Sequence, residues 1–312
     1  MLEPTEERLW SAAELAARVI RYDDLRPCYN AFIDCRTPGS EAKENFTIIG
    51  PGVSENPAQH VHIAEPHGFN IGGARQPPHC VNSQHSHDTA EVFVVHSGDW
   101  RFDLGDDGDD ARIDVHPGDV ISLPTHTFRG FTNIGTTTGF LWAVLGQDNP
   151  GRVTWAPRVF EMARDFGLVL LENGRLVDTA AGEALPANVR PMPPTTLADA
   201  AAFHRLDATG GERLVVRAAA QSAAIIGTGG PLSWPHGFSV DRLVLNSDRS
   251  DDMRVFDGRE VIFVDRGTVI VDWAGGTLEL GAGDTMTVPA GLRRTYLSRA
   301  GATAFIVRAD AD

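Results

Sequence analysis

Basic residues are scarce in this chain: 27 Lys and Arg face 42 Asp and Glu, a formal net charge of −15 over 312 residues. Nucleic-acid backbones are gripped by clustered cations, so this balance argues against a nucleic-acid partner. It does not exclude an anionic small molecule, because one buried arginine can hold a carboxylate inside an acidic protein. Cysteine is nearly absent, and Cys28, Cys35 and Cys80 lack zinc-like spacing. Cys28 and Cys35 could pair, but free thiols in a reducing cytoplasm are the expectation. No run approaches the roughly 20 apolar residues of a membrane span, so no membrane partner is expected. The acidic opening MLEPTEERLW shows no export signal, which makes the expected location cytoplasmic. Hydrolytic triads, phosphate loops and dinucleotide fingerprints are also missing, since NIGGARQPP and GTGGP are glycine-rich turns that open no helix.

What is present is mostly strand text. Leu9, Ala13, Ala16, Ala17 and Ile20 recur at helical spacing and predict an amphipathic helix over Glu6 to Ile20. Residues 46 to 146 then read as short β-branched and aromatic runs cut by Gly, Pro and Asp, the texture of an all-β sandwich or barrel. WAPRVFEMARDFGLVLLENGRLVD predicts a helix and a short hairpin, and LPANVRPMPPTT is a proline-rich, semi-rigid connection. Strand text returns beyond Phe203. The expected organisation is therefore an N-terminal helical arm (1–45), a first β-domain (46–150), a connection (151–202) and a second β-domain (203–312).

The second β-domain repeats the first. PHGF occurs at Pro66 to Phe69 and again at Pro235 to Phe238, an offset of 235 − 66 = 169. The same offset lays Glu91 on Glu260 and Gly98 on Gly267, so AEVFVVHSG matches REVIFVDRG without a gap. PGDVISLPTHTFR then lies over AGDTMTVPAGLRR at an offset of 289 − 124 = 165. The four-residue difference falls at the acidic hairpin GDDGDD, where an insertion is cheap. Its aspartates lack EF-hand spacing and read as a solvated tip.

HSHDTAEVFVVHSG and GDVISLPTHTFRGFTN together resemble the two motifs of the cupin family, and the duplication resembles a bicupin. The glycine that usually precedes the first motif is replaced by His79. The resemblance implies two antiparallel β-barrels of the double-stranded β-helix, or jelly-roll, type. It also implies a divalent metal (Fe(II) first, with Mn, Ni or Zn as alternatives), dioxygenase-like chemistry and a homodimer. Strand geometry agrees with the first motif. His85 and His87 are two apart and share a face, and Glu91 returns to that face if no bulge intervenes. Two imidazoles and a carboxylate suit a mid-row metal with open positions. The HVH at His60 and His62 lacks such a partner and reads as incidental.

By register the family's fourth ligand falls at Arg129, five residues after Pro124, while His126 sits at the bend. Arginine cannot ligate a metal. The second copy has Arg254 for His85 and Phe256 for His87, yet keeps Glu260 and Arg294, which suggests a buried carboxylate–guanidinium pair. Three readings follow for the first barrel. His85, His87 and Glu91 hold a metal while Arg129 grips a small anionic substrate; or His126 bends inward as a fourth ligand; or Glu91 pairs with Arg129 in a metal-free binding or sensing module. Phe93, Phe102, Phe131 and Trp142 are candidates for a pocket wall, with ordinary core as the plainer reading. Asn82 and Gln84 precede the ligand strand and could reach a substrate. His67 and His236 recur at matching positions of the repeat, which favours a structural role.

Overall fold

The computed structural model describes residues 8–220, 222–247, 249–250 and 253–310, the last pair before the gap by backbone alone. It is mainly β, in two compact units.

The N-terminal unit, residues 26–220 with 234–236, faces two sheets across an apolar core. The first sheet orders its strands Val153–Trp155, Val81–His87, Arg129–Asn133, Trp100–Leu104 and Ala111–Val115. The second runs Val215–Val216, Val120–Leu123, Glu91–Ser97, Gly139–Gly146, Phe69–Gln76, Glu44–Ile49 and Val61–Ile63. Alternation sends Trp100, Phe102, Leu104, Ile113 and Val115 inward, where they are buried with Phe93, Val95 and Ile121.

The expected helix after the barrel spans Pro157–Asp165, with proline at its first position, where a missing N–H does no harm. The hairpin Leu168–Leu170/Leu176–Asp178 follows it. These elements bury Val159, Ala163, Leu168 and Leu176 against Ile33, Phe128 and Trp155. The connection (151–202) thus belongs to this unit, and so do residues 203–220, which the sequence assigned to the second β-domain.

The C-terminal unit contains residues 222–233 and those from Gly237 onward, joined by the described N-terminal residues up to Leu25. Its sheets are ordered Val19–Ile20, Thr285–Val288, Glu260–Gly267, Ala302–Ala309, Phe238–Leu245, Ala224–Ile226, and Arg249–Ser250, Arg294–Ser298, Val269–Trp273, Gly276–Leu280. The arm therefore divides at Leu25 and does not form one helical segment. Its helix is confined to Ala12–Ala16, opened by a Ser11/Glu14 capping box. The expected start at Glu6 lies outside the described residues. Val19 and Ile20, both β-branched, pair as an edge strand with Met286 and Thr285 instead of extending the helix.

The repeat survives in the backbone pairing. Glu91 pairs with Leu123 and Glu260 with Val288; Arg129 pairs with His85 and Arg294 with Arg254. Both offsets are therefore those of the alignment.

Candidate metal centre

His85 and His87 lie on Val81–His87, and Glu91 opens the strand Glu91–Ser97. One ligand atom from each lies within 4.8 Å of the others, and all three residues are buried. The bond from His85 Nδ1 to the Ser83 carbonyl, 2.7 Å, fixes a tautomer. A carbonyl only accepts, so Nδ1 carries the proton and Nε2 keeps its lone pair. His87 Nε2 lies 3.5 Å from Glu91 Oε1, and its buried Nδ1 has no partner among the described residues. Burial, with Arg129 adding to it, holds both imidazoles well below the usual histidine range and so neutral. Two neutral imidazoles, one with an orphaned buried nitrogen, and a carboxylate oxygen form a donor set that fits a divalent metal.

Arg129 is fully buried and turns to Glu91, not to the cavity. Its Nη2 donates to Glu91 Oε2 at 2.6 Å, and Nη1 to the carbonyls of Thr127 (3.3 Å) and His85 (3.4 Å). The substrate-gripping role considered for Arg129 is replaced by this pairing. His126 is not a fourth ligand. It occupies the turn with φ 54°, is exposed, and packs its ring edge-on to Phe203 at 5.6 Å.

Next to the three residues is a cavity of about 70 Å³, walled by Phe32, Phe46, Phe93, Phe131, Ala143 and Trp155. Of the four aromatic candidates, Phe93 and Phe131 line it. Phe102 packs behind them, 5.4 Å from each ring, and Trp142 is buried on the opposite face of its strand from Ala143. Asn82 lines the cavity, whereas Gln84 turns outward, donating to the carbonyls of Asp103 and Gly105. His67 and His236 are buried and tied to Glu65 O and Ser122 Oγ, away from the cavity. Phe32, Phe46 and Trp155 were not among the expected wall residues, because they belong to segments outside the two motifs.

Also unforeseen are three buried ionisable groups from residues 34–55. Lys43 pairs with Asp34, both fully buried, and Glu55 accepts from Trp155 Nε1 and Ile33 N, each at 2.6 Å. One signal for them is in the sequence: Lys43 is the single lysine of the chain.

In the C-terminal unit Glu260 accepts from Arg294, from the Tyr296 hydroxyl (2.8 Å) and from Arg308 Nε (2.7 Å). Arg308 also reaches Asp241 at 2.8 Å. Arg308 stands opposite Glu260 in the ladder, the place that Leu145 holds opposite Glu91.

Comparison with known proteins bears on the fold. The cupin domain family matches residues 74–144. Bacillus subtilis oxalate decarboxylase at pH 4.6 superposes with a TM-score of 0.58 at 13% identity, covering 99% of this chain and 78% of that one. The formate complex of Lactobacillus farciminis oxalate decarboxylase gives 0.56 at 11% identity, covering 93% and 85%. A further Bacillus subtilis structure, from work on that enzyme's Mn(II) centers, gives 0.56 at 13%, covering 99% and 80%. No curated protein matches the sequence significantly. The fold is a duplicated cupin barrel. The match to the family is confined to residues 74–144, and over the whole chain the likeness is one of fold.

Proposed function

We propose that the N-terminal barrel binds one divalent metal through His85, His87 and Glu91, and that the protein is a metal-dependent enzyme, dioxygenase-like, for a small oxygenated or carboxylate-bearing molecule. The observation that carries this reading is the convergence of the three donors on the wall of a small, largely apolar cavity. Two histidines and a carboxylate suit Fe(II), and the Mn(II) centers of the Bacillus subtilis enzyme make manganese the second choice. When bound, such a metal supplies a Lewis acid and, if redox-active, a partner for oxygen.

The chain's own residues set the rest. His85 and His87 bring no charge, and Glu91 is already shared with Arg129, so the centre favours an anionic ligand. The aromatic walls exclude bulk water and strengthen electrostatic attraction within. At roughly 10–15 Å³ per water, a cavity of about 70 Å³ admits a ligand of only a few heavy atoms.

Metal analysis tests this directly. The purified protein is expected to hold one equivalent of Fe or Mn, and the His85→Ala/His87→Ala variant none. Equal metal content in both would end the proposal. One observation favours a second reading, a metal-free binding module: the Glu–Arg pair recurs in the barrel that has no histidines. A wild-type protein that takes up no metal yet binds small carboxylates would establish that alternative.

A further inference from the structure

A buried ion pair is weak evidence for stability, because desolvating two charges offsets most of their attraction. The pair formed by Asp34 and Lys43 therefore needs another explanation. Both side chains are 0% exposed, and each has a second partner on the ligand strand. Lys43 Nζ donates to Asn82 Oδ1 at 3.1 Å, and Asp34 Oδ2 accepts from Ser83 N at 3.0 Å. Asn82 and Ser83 are not ordinary ladder residues. Arg129 pairs with His85 but Phe131 pairs with Asn82, so two steps on one strand face three on the other. The extra residue is a β-bulge, which interrupts the hydrogen-bonded ladder and re-aims the side chains that follow.

His85 depends on that bulge. Its Nδ1–H is held by Ser83 O, the carbonyl of the same residue whose N–H Asp34 grips. The Ser83 carbonyl alone holds that proton, because the nearest other group, the Asn82 amide nitrogen 3.5 Å away, is itself a donor; what anchors Asn82 lies on its other side. The single lysine of the chain faces it through the amide oxygen, since an ammonium can only donate. Lys43 thereby fixes the direction of the Asn82 amide, and Asp34 fixes the bulge backbone. We infer that the Asp34–Lys43 pair is a positioning element of the metal centre: it anchors the bulge at Asn82 and Ser83 so that the Ser83 carbonyl stays on His85 Nδ1–H and Nε2 is directed at the cavity. This inference rests on the metal-binding reading above, but the tautomer it predicts is a property of the metal-free chain.

The experiment uses ¹⁵N-histidine-labelled full-length protein, wild type and Asp34→Asn/Lys43→Gln, which removes both charges and keeps hydrogen-bonding groups of similar size. Metal-free wild type should show His85 as the Nδ1–H tautomer, and the variant a mixture or the other form. Mn²⁺ affinity should fall roughly 10–100-fold in the variant, the usual effect of losing a group that orients a ligating histidine. An unchanged tautomer together with unchanged Mn²⁺ affinity overturns the inference. If wild type binds no Mn²⁺, the functional proposal fails, and the tautomer comparison still decides the clamp. Should the double variant not fold, wild type labelled with ¹³Cε-lysine gives a single resonance, that of Lys43. Its displacement by one equivalent of Zn²⁺ supports the clamp, and a resonance indifferent to Zn²⁺ removes it.

Discussion

Glu91 divides its carboxylate: Oε2 accepts from Arg129 Nη2 at 2.6 Å, and Oε1 lies 3.5 Å from His87 Nε2. One oxygen is thus committed to a cation of the protein and the other faces the imidazoles. Burial pushes the Glu91 carboxyl up from its usual range and the Arg129 guanidinium down, and each partner opposes the shift of the other.

From this sharing we predict that Arg129→Met lowers stability by about 3–5 kcal/mol, since it strands a carboxylate in the interior. Without the guanidinium nothing opposes the upward push of burial on the Glu91 carboxyl, which makes it a poorer ligand, so Mn²⁺ affinity falls as well. Glu91→Gln/Arg129→Met removes both charges and should be less destabilised than the sum of the single variants. Urea unfolding of the four proteins gives the coupling, and strict additivity would show that the pair is not coupled.

Arg294→Met provides the contrast. It leaves Glu260 paired with Arg308 and Tyr296 and should therefore destabilise the C-terminal unit by less than Arg129→Met costs the N-terminal one, while metal content stays at the wild-type value. Because the chain has two compact units, unfolding is best followed by a probe in each. Loss of metal in this variant would place a ligand role in the wrong barrel.

The barrels were legible because a repeat fixes register. PHGF, Glu91/Glu260 and Arg129/Arg294 kept their offsets through several strands, and the ladders place the same residues opposite one another. His85, His87 and Glu91 were legible for the same reason. His126 was misleading because its letter suits a ligand, while its backbone, at φ 54°, turns it outward. Asn82 shows the limit of alternation. It is out of phase with His85, and only the bulge at Ser83–Gln84 returns it to the cavity. The cavity's remaining walls come from Phe32, Phe46 and Trp155, outside both motifs, and no local period announces a long-range contact.

Gly130 makes the bulge possible, and its replacement gives a sharp test. A Cβ there would stand 1.8 Å from Gln84 Oε1 and 2.8 Å from the Asn82 carbonyl. Gly130→Ala should lose about 1–3 kcal/mol through overpacking. Gln84→Ala should restore only part, because it clears a flexible side chain but leaves the Asn82 backbone in place. Full restoration, read from the melting temperature, would mean that the bulge backbone is freer than the geometry indicates.

Glu55 supplies a pH dependence whose sign is fixed. Burial raises its carboxyl to about 8, with hydrogen bonds from Trp155 and Ile33 acting the other way. The native state therefore keeps a proton that the unfolded chain releases near 4.5. The stabilisation is complete below that value, declines as pH rises, and is gone above about 8. Buried neutral His85, His87 and His236 act with the opposite sign, destabilising as pH falls below the histidine range. The Glu55 contribution is thus isolated only as a difference. Between pH 5 and pH 9 the melting temperature of wild type should fall relative to that of Glu55→Gln, whose amide does not titrate. The gap corresponds to a change on the order of a few kcal/mol. Parallel curves for the two proteins would mean that Glu55 is ionised in the folded state throughout, held by Trp155 Nε1 and Ile33 N alone.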